Sequence, residues 1–276
     1  MATPIGNLGD ISLRALEVLK AVDAVAAEDT RVTARLLDRY GIAKRLISVH
    51  EHNEKRATVQ VLEFLAAGKS LALACDAGTP AVSDPGAYLV GAVRDAGFAV
   101  VPIPGANAAL TALSAAGIAA PHFLFYGFLP ARAGERQRAL ADLAALPYAI
   151  VFYEAPHRVA ACIADLRATL GAERRITIAR ELTKVYESIH RCTLAEAEAW
   201  LGADPDRSRG EFVLIVDGAP APAREANDGA RRTLELLLDE VPVKQAVALA
   251  AKLTGGKRNE LYKLALQLKK GVTSDR

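Results

Sequence analysis

The stretch Ala74-Cys-Asp-Ala-Gly-Thr-Pro-Ala-Val-Ser-Asp-Pro-Gly86 follows directly on an apolar run, Ser70-Leu-Ala-Leu-Ala-Cys75. The apolar run predicts a buried strand that delivers Asp76 to a loop. Two glycines and two prolines make that loop tight, as expected of a surface that holds a small molecule. Open α/β sheets bind ligands at such corners, so the stretch predicts an α/β fold with a binding site here. An ordinary crossover loop is the alternative.

Predicted strands alternate with single helices through the first part of the chain. The strands are 22–27, 46–50, 70–75 and 98–103, after a first strand that we expect to be short because of a truncated or misassigned start at Met1. The helices begin after Asp10 or Ser12, after the turn 28–31, at the cap Asn53, at 87 and at 108, and Gly41 closes the second of them. Strands separated by single helices pair in parallel and form a sheet covered on both faces.

Polar residues collect at the carboxyl ends of these strands, where parallel strands share one edge of a sheet. They are Glu28, Asp29 and Arg31, then 50–53, then 76–84, and Asn107. Four loops are therefore predicted to face one crevice.

A second α/β unit begins near Pro121. Its predicted strands are 122–130, 148–153, 174–179, 183–192 and 211–216, with helices inside 132–146 and 159–170. Because the last strands follow one another without helices, a mixed sheet is predicted. Residues 218–223 read as a linker, and 254–256 interrupt the helical pattern beyond it like a helix-turn-helix pair. We predict two α/β domains, 1–118 with a parallel sheet and 119–218 with a mixed one, and a helical module, 228–276.

Composition excludes several classes of protein. A chain of 276 residues with 51% hydrophobic residues can bury a proper core. No apolar window is long enough for a membrane helix, and no signal peptide is indicated, so we expect a cytoplasmic protein. The three scattered cysteines favour neither disulfides nor a zinc site, and the motifs GxxxxGK[ST], HExxH and GxGxxG are absent. We therefore expect no metal and no dinucleotide cofactor.

Charge is distributed unevenly along the chain. Residues from Asn227 onward carry a net charge of +4, whereas the preceding residues carry −2. This asymmetry favours a basic tail that contacts nucleic acid, although a solvated helical face explains it almost as well.

Eight sequence blocks occur together, in order and with family-like spacing. They are Thr3-Pro-Ile-Gly-Asn-Leu-Gly-Asp10, Ala27-Glu-Asp-Thr-Arg31, His50-Glu-His-Asn-Glu54, Asp76 to Gly86, Pro104-Gly-Ala-Asn107, Tyr126-Gly-Phe-Leu-Pro130, Tyr153-Glu-Ala-Pro-His-Arg158 and Ala179-Arg-Glu-Leu-Thr-Lys184. The combination resembles the tetrapyrrole methylase, or class III S-adenosylmethionine-dependent methyltransferase, superfamily, and within it the bacterial enzymes that methylate small-subunit ribosomal RNA. The resemblance departs at the short first strand and at Cys75, where serine is expected.

The resemblance implies a fold, a reaction and a set of contacts. It implies two α/β domains with S-adenosylmethionine in the cleft between them, a homodimer, and transfer of a methyl group to a cytidine ribose 2′-hydroxyl in the decoding region of 16S ribosomal RNA of the small ribosomal subunit. The cofactor contacts that it implies are Pro4, Asp76, Gly78, Thr79, Asn107, Ala108, Tyr153 and Ala179. For Asp76, a turn that bonds its own backbone is the structural alternative.

Several groups near strand ends are candidates to accept the hydroxyl proton. They are Glu28, His50, Glu154, His157 and Lys184. A surface or capping role is as plausible for the histidines, and the lysine would need strong desolvation to act as a base.

Five cationic residues are candidate RNA contacts: Arg31, Arg158, Arg180, Lys257 and Arg258. Arginine suits phosphate by its bidentate geometry, but pairing of the first three with Glu28, Glu154 or Glu181 is equally plausible. In the tail, Lys252, Lys263, Lys269 and Lys270 extend the basic set.

Two other functions compete with RNA methylation. A relative that methylates a tetrapyrrole or another small molecule would keep its activity without the residues after Ala226. A non-catalytic RNA-binding or assembly protein with the same fold would have no affinity for S-adenosylmethionine.

Overall fold

The computed structural model describes residues 1–118, 121–220 and 223–272, without the side chains of 223–229 and 269–272. These residues fall into two compact units, Met1–Gly218 and Ala219–Arg276. Three predicted features lie partly outside the described residues: the boundary between 118 and 119, the linker, and the end of the helical module. The side chains of Lys269 and Lys270 also lie outside them.

The first half of the larger unit contains a parallel sheet of three strands in the order β2, β1, β3. The strands are β1 (Ala24–Ala27), β2 (Arg45–Ser48) and β3 (Leu71–Ala74). The helices are α1 (Leu13–Ala21), α2 (Thr30–Arg39), α3 (Glu54–Ala66), α4 (Ala87–Asp95) and α5 (Ala108–Ala115). β1 is fully buried because hydrophobic clusters pack on both of its faces. The predicted parallel sheet is confirmed.

Local sequence explains where these helices begin. The side chains of Ser12, Asp29 and Asn107 each accept a hydrogen bond from an amide in the first turn of their helix. Asn53 precedes α3 as predicted, but its side chain makes no cap hydrogen bond and accepts from the His50 amide instead, at 2.9 Å.

The predicted strand 98–103 is wrong. Its amides find no ladder partner in the described part of the chain, and Phe98 N–H bonds back to the end of α4. Ala2 N–H donates to the Ile103 carbonyl at 3.2 Å, and the Arg14 guanidinium donates to the Pro102 carbonyl at 3.2 Å. The Met1 amino group donates to Leu73 on β3 at 2.7 Å. The predicted short first strand is a single bridge between Thr3 and Gly78. Without a neighbouring strand, an apolar sequence does not form a ladder.

The second half of the larger unit contains a mixed sheet of five strands in the order β4, β5, β8, β6, β7. The strands are β4 (Phe123–Phe128), β5 (Ala149–Glu154), β6 (Arg175–Arg180), β7 (Ser188–Thr193) and β8 (Phe212–Val216). β4 pairs with β5 in parallel, and the other pairs are antiparallel. The helices are α6 (Ala133–Leu143), α7 (Val159–Leu170) and α8 (Leu194–Gly202). The predicted mixed sheet is confirmed.

Two predictions for this half are corrected. Only the second half of the predicted strand 183–192 is a strand in the structure. Residues 181–187 form turns instead, in which Glu181 and Thr183 have φ angles of 51° and 66°. The second correction is α8, which sequence analysis did not anticipate between β7 and β8. Its signal is a capping box, in which the side chains of Thr193 and Glu196 each bond the other residue's amide.

The smaller unit contains three helices: α9 (Ala223–Glu240), α10 (Val243–Thr254) and α11 (Arg258–Val272). Leu234, Val247 and Leu261 form its buried core together with small alanines. Gly255 ends α10 with a left-handed φ of 69°, which glycine adopts without strain. This geometry agrees with the predicted helix-turn-helix pair. In the portions of the chain that are described, none of the helices has the length and apolar character required to cross a membrane.

An ion pair between Arg136 on α6 and Asp165 on α7 is buried beside the core of the second half. Asp165 accepts from the Arg136 Nε at 2.6 Å and from the Gln137 amide at 2.7 Å. The Arg136 side chain is only 5% exposed. Removing the carboxylate would therefore leave a desolvated cation without its partner.

We expect Asp165→Ala to lower the free energy of unfolding by about 3 to 5 kcal/mol, the typical cost of breaking a buried ion pair. Urea unfolding measures this change. Asp142→Ala on the exposed side of α6 is the control, with an expected effect within about 0.5 kcal/mol. A loss similar to that of the control would contradict the assignment.

Candidate functional site

Hydrogen bonds between acidic residues join the carboxyl ends of β1 and β3. The Asp76 carboxylate accepts a hydrogen bond from the Asp29 amide at 2.9 Å, and the Asp76 amide donates to the Glu28 carboxylate at 3.5 Å. Asp29 also caps α2 and forms an ion pair with Arg31. These hydrogen bonds fix the point at which the loop 77–86 leaves the sheet.

The loop 77–86 is held at several points. Thr3 and Gly78 exchange two backbone hydrogen bonds of 2.8 and 3.0 Å, and the Thr79 hydroxyl donates to the Ala106 carbonyl at 3.2 Å. One oxygen of the Glu54 carboxylate accepts from the Gly86 amide at 2.9 Å. These bonds hold the loop in a conformation that includes strained, positive φ angles at two residues that are not glycine, Ala81 and Ser83. Strain of this kind concentrates at functional sites.

A cavity of about 400 Å³ lies beside this loop, within the size range of small-molecule sites. Its wall combines the loop, the start of α5, the end of β4, the turn after β5 and the start of β8. Residues from both sheets of the larger unit therefore enclose a single cavity, at the edge that the sequence predicts for the site.

Backbone amides and fixed side chains define the α5 side of the cavity. Asn107 accepts from the Leu110 amide at 3.1 Å, and the Tyr153 hydroxyl accepts from the Ala109 amide at 3.2 Å. Burial raises the pKa of Tyr153. The phenol therefore stays protonated at neutral pH and keeps one O–H to donate.

Negative charge dominates the loop side. Burial, and then the charge of Glu28, raises the pKa of Asp84 on the cavity wall to about 6. Burial also raises the pKa of Glu28. Burial, followed by the charge of Asp84, raises the pKa of Cys75 to about 12, so this thiol is not a nucleophile at neutral pH. Close carboxylates with raised pKa values favour a cationic ligand.

The structure brings most of the predicted cofactor contacts together on the cavity wall. Five of them line it: Gly78, Thr79, Asn107, Ala108 and Tyr153. The other three, Pro4, Asp76 and Ala179, lie behind the wall, next to or beneath residues that line it. The Asp76 carboxylate bonds the amide of Asp29, which is distant in sequence, and not the backbone of its own turn.

Of the five candidate bases, only Glu154 lines the cavity. Its carboxylate is fully buried, pairs with Arg158 at 3.1 Å and accepts from the Ala155 amide at 2.8 Å. Glu28 lies near Asp76 and His50 lies on the loop after β2, whereas His157 follows the wall residues Ala155 and Pro156 in the turn after β5 without lining the cavity itself.

Lys184 forms ion pairs with Glu181 at 2.8 Å and with Glu211 at 3.1 Å. Burial lowers its pKa, but the hydrogen bonds to the two carboxylates outweigh burial and raise it. The amine is therefore protonated at neutral pH and cannot act as a base.

The predicted arginine contacts have partners of their own. Arg158 donates to the Leu129 carbonyl at 2.5 Å, and Arg180 donates to three backbone carbonyls of neighbouring turns. Arg31 is paired with Asp29 rather than with Glu28. In the smaller unit, Lys257 and Arg258 are exposed at the turn between α10 and α11.

Asp84 and Phe128 are among the wall residues that the sequence did not indicate as site residues. Both lie inside quoted blocks, but no spacing rule distinguishes them from turn or strand residues. In the described ranges, no group of three His, Cys, Asp or Glu side chains is arranged to hold a metal ion.

Comparison with known families gives two matches. Residues 2–198 match the family of Tetrapyrrole (Corrin/Porphyrin) Methylases. Residues 224–269 match the RsmI C-terminal HTH domain. Together the matches cover the first half, the second half as far as α8, and most of the smaller helical unit.

Curated relatives align over almost the whole chain. The "Ribosomal RNA small subunit methyltransferase I" of Escherichia coli is 49% identical over 96% of this chain and 93% of its own length. The proteins of the same name from Pseudomonas aeruginosa and Mesorhizobium japonicum are each 48% identical, over 97% and 98% of this chain and 95% and 91% of their own.

Solved structures share the fold at low sequence identity. The methyltransferase CobJ is 22% identical, with a TM-score of 0.58 over 78% of this chain and 90% of its own. A uroporphyrin-III C-methyl transferase from Thermus thermophilus, solved with S-adenyl homocysteine, is 18% identical, with a TM-score of 0.55 over 79% of this chain and 95% of its own. At these identities the likeness concerns the fold alone.

We expect Asp84→Asn to change how stability depends on pH. The Asp84 pKa is raised from 3.8 to about 6, so between these values the folded protein binds more protons than the unfolded chain. Stability then falls as pH rises through this window, and the neutral amide removes that loss. The measurement is the melting temperature of both proteins at pH 4.5 and pH 7.5. The difference, Asp84→Asn minus wild type, should be more positive at pH 7.5 than at pH 4.5.

The control is Asp95→Asn, which changes an exposed acidic residue on α4. Its melting temperature should match that of wild type at both pH values. A constant difference between Asp84→Asn and wild type at both pH values would contradict the raised pKa.

Proposed function

The chain belongs to the tetrapyrrole (corrin/porphyrin) methylase family, and from that premise we propose that it methylates the ribose 2′-hydroxyl of a cytidine in the decoding region of 16S ribosomal RNA. It is a methyltransferase whose cofactor is S-adenosylmethionine. The observation that carries the RNA substrate is the 46% to 49% identity to small-subunit ribosomal RNA methyltransferases over nearly the full chain, including the helical tail.

The cavity fits S-adenosylmethionine in size and chemistry. Its volume suits a ligand of that class, the Ala108 amide in the first turn of α5 is placed for its polar edges, and Asp84 presents negative charge to a cation. We propose that Gly78, Thr79, Asn107, Ala108 and Tyr153 hold the cofactor. When bound, it supplies an electrophilic methyl group on a positively charged sulfur.

The chain's own residues then have two tasks, alignment of the hydroxyl and removal of its proton. Asp84 is better placed for the second task than the five bases predicted from the sequence, because it faces the cavity without a cationic partner in the described residues. Glu154 is neutralised by Arg158, and Lys184 is protonated. A pKa of about 6 leaves Asp84 ionised at neutral pH.

The tail supplies cations for RNA. The exposed side chains of Lys252, Lys257, Arg258 and Lys263 surround the α10–α11 turn and the faces next to it. Such contacts position a nucleic acid without reading its sequence. We propose that they bind the small ribosomal subunit, and that the enzyme acts as a cytoplasmic homodimer, as the resemblance implies.

We expect wild-type protein to transfer labelled methyl from S-adenosylmethionine to isolated small subunits that lack the modification. Label that maps to one nucleotide, at a linkage resistant to alkaline hydrolysis, would identify a 2′-O-methylated ribose. Ala108→Leu should abolish most of the transfer and weaken cofactor binding at least about tenfold by calorimetry, because the larger side chain occupies the cavity.

Ala115→Leu makes the same change at an exposed position of the same helix and should behave as wild type. Label on a base or on protein would refute the proposed acceptor. Absence of cofactor binding by wild-type protein would refute catalysis itself.

We expect the double variant Lys257→Ala/Arg258→Ala to weaken binding to small subunits and to reduce the slope of log affinity against log salt by about 1.5, because two phosphate contacts are lost. Sedimentation binding at several salt concentrations measures both quantities. Lys55→Ala/Arg56→Ala removes the same exposed dipeptide from α3 and should leave the slope unchanged. Equal slopes for the two variants would exclude the tail turn from the RNA contact.

A further inference from the structure

Phe128, the last residue of β4, faces both the cavity and solvent. Its side chain lines the cavity, and the residue is 51% exposed. A large aromatic ring exposed at the rim of a binding site costs solvation free energy unless a ligand covers it.

A β-bulge turns this ring toward the cavity. The pairing of β4 with β5 shifts between Phe125 and Gly127, so that one extra residue, Tyr126, lies on the β4 side. In a regular strand, residues 125 and 128 would point to opposite faces of the sheet. With the extra residue, both rings contact the same Tyr153 edge-on, with centroids 5.0 and 5.7 Å away. The bulge therefore re-aims Phe128 onto the cavity face.

Glycine is required where the bulge approaches the loop. Gly127 has a φ of 81°, and a Cβ atom there would lie 2.7 Å from the Ser83 hydroxyl oxygen. The end of β4 thus lies directly against the loop that carries Asp84.

The support beneath Phe128 is rigid. Tyr153 is fixed by its hydrogen bond with the Ala109 amide and by Phe125 on another side. Tyr126, by contrast, packs against the buried Phe152 on the other face of the sheet. Phe128 is therefore the outermost ring of a fixed aromatic wall whose exposed side faces the solvent at the cavity rim.

We propose that the base of the target pyrimidine nucleotide stacks on Phe128 while its ribose hydroxyl enters the cavity. This inference rests on the proposed RNA substrate. A ribose 2′-hydroxyl is two bonds from the carbon that carries the base, so a hydroxyl inside the cavity leaves the base at the rim. Proteins that select single nucleotides of RNA hold unstacked bases on aromatic rings in this way.

The test compares Phe128→Ala with Phe123→Ala, which removes a similarly exposed ring, 42% exposed, from the opposite end of the same strand. Phe128→Ala should raise the KM for small subunits about tenfold and weaken their equilibrium binding in the absence of cofactor by a similar factor. The kcat and the calorimetric affinity for S-adenosylmethionine should stay within about twofold of wild type, because stacking holds ground and transition states alike.

Conservative variants separate stacking from packing. Phe128→Tyr and Phe128→Trp should restore the KM, whereas Phe128→Leu, which keeps apolar bulk without a flat ring, should not. Loss of cofactor binding in Phe128→Ala, or a KM equal to that of Phe123→Ala, would overturn the stacking role. Failure of wild-type protein to label RNA would overturn the proposed function together with this inference, and it is visible before any variant is compared.

Discussion

The hydrogen bond from the Asp29 amide to the Asp76 carboxylate joins the ends of two parallel strands, and the cavity depends on that junction. Both residues lie just beyond the ends of paired strands, so this one hydrogen bond holds the two strand ends together. The junction fixes the start of the loop 77–86, while Glu54 fixes its end through the Gly86 amide. With both ends fixed, the loop keeps the positive φ angles that place Asp84 on the cavity wall.

Charge and apolar surface have separate places in the cavity. The loop from the first half contributes the Asp84 carboxylate, whereas the second sheet contributes Tyr153 and Val213. A ligand with a cationic centre and a flat apolar part would find both in one site.

Much of this arrangement is predictable from sequence, because it depends on local patterns. Strands 22–27 and 70–75 are apolar runs that end in acidic residues, and the helix after Asn107 has its capping residue in place. What failed depends on neighbours distant in sequence. Residues 98–103 read as a strand yet lack a pairing partner in the described chain, and Asp84 acquires its raised pKa from burial and from Glu28. The missed α8 is different, since its capping box was readable in the sequence.

The helix α5 follows the first half in sequence, but its buried face packs on the second sheet, where Ala109 and Ala112 contact the cluster around Val151 and Ile215. The Tyr153 hydroxyl clamps its first turn, and Arg191 donates to the Ala116 carbonyl just beyond its last turn. Ile5 of the first half belongs to the same cluster, so separating the halves to open the cleft would expose packed apolar side chains to water.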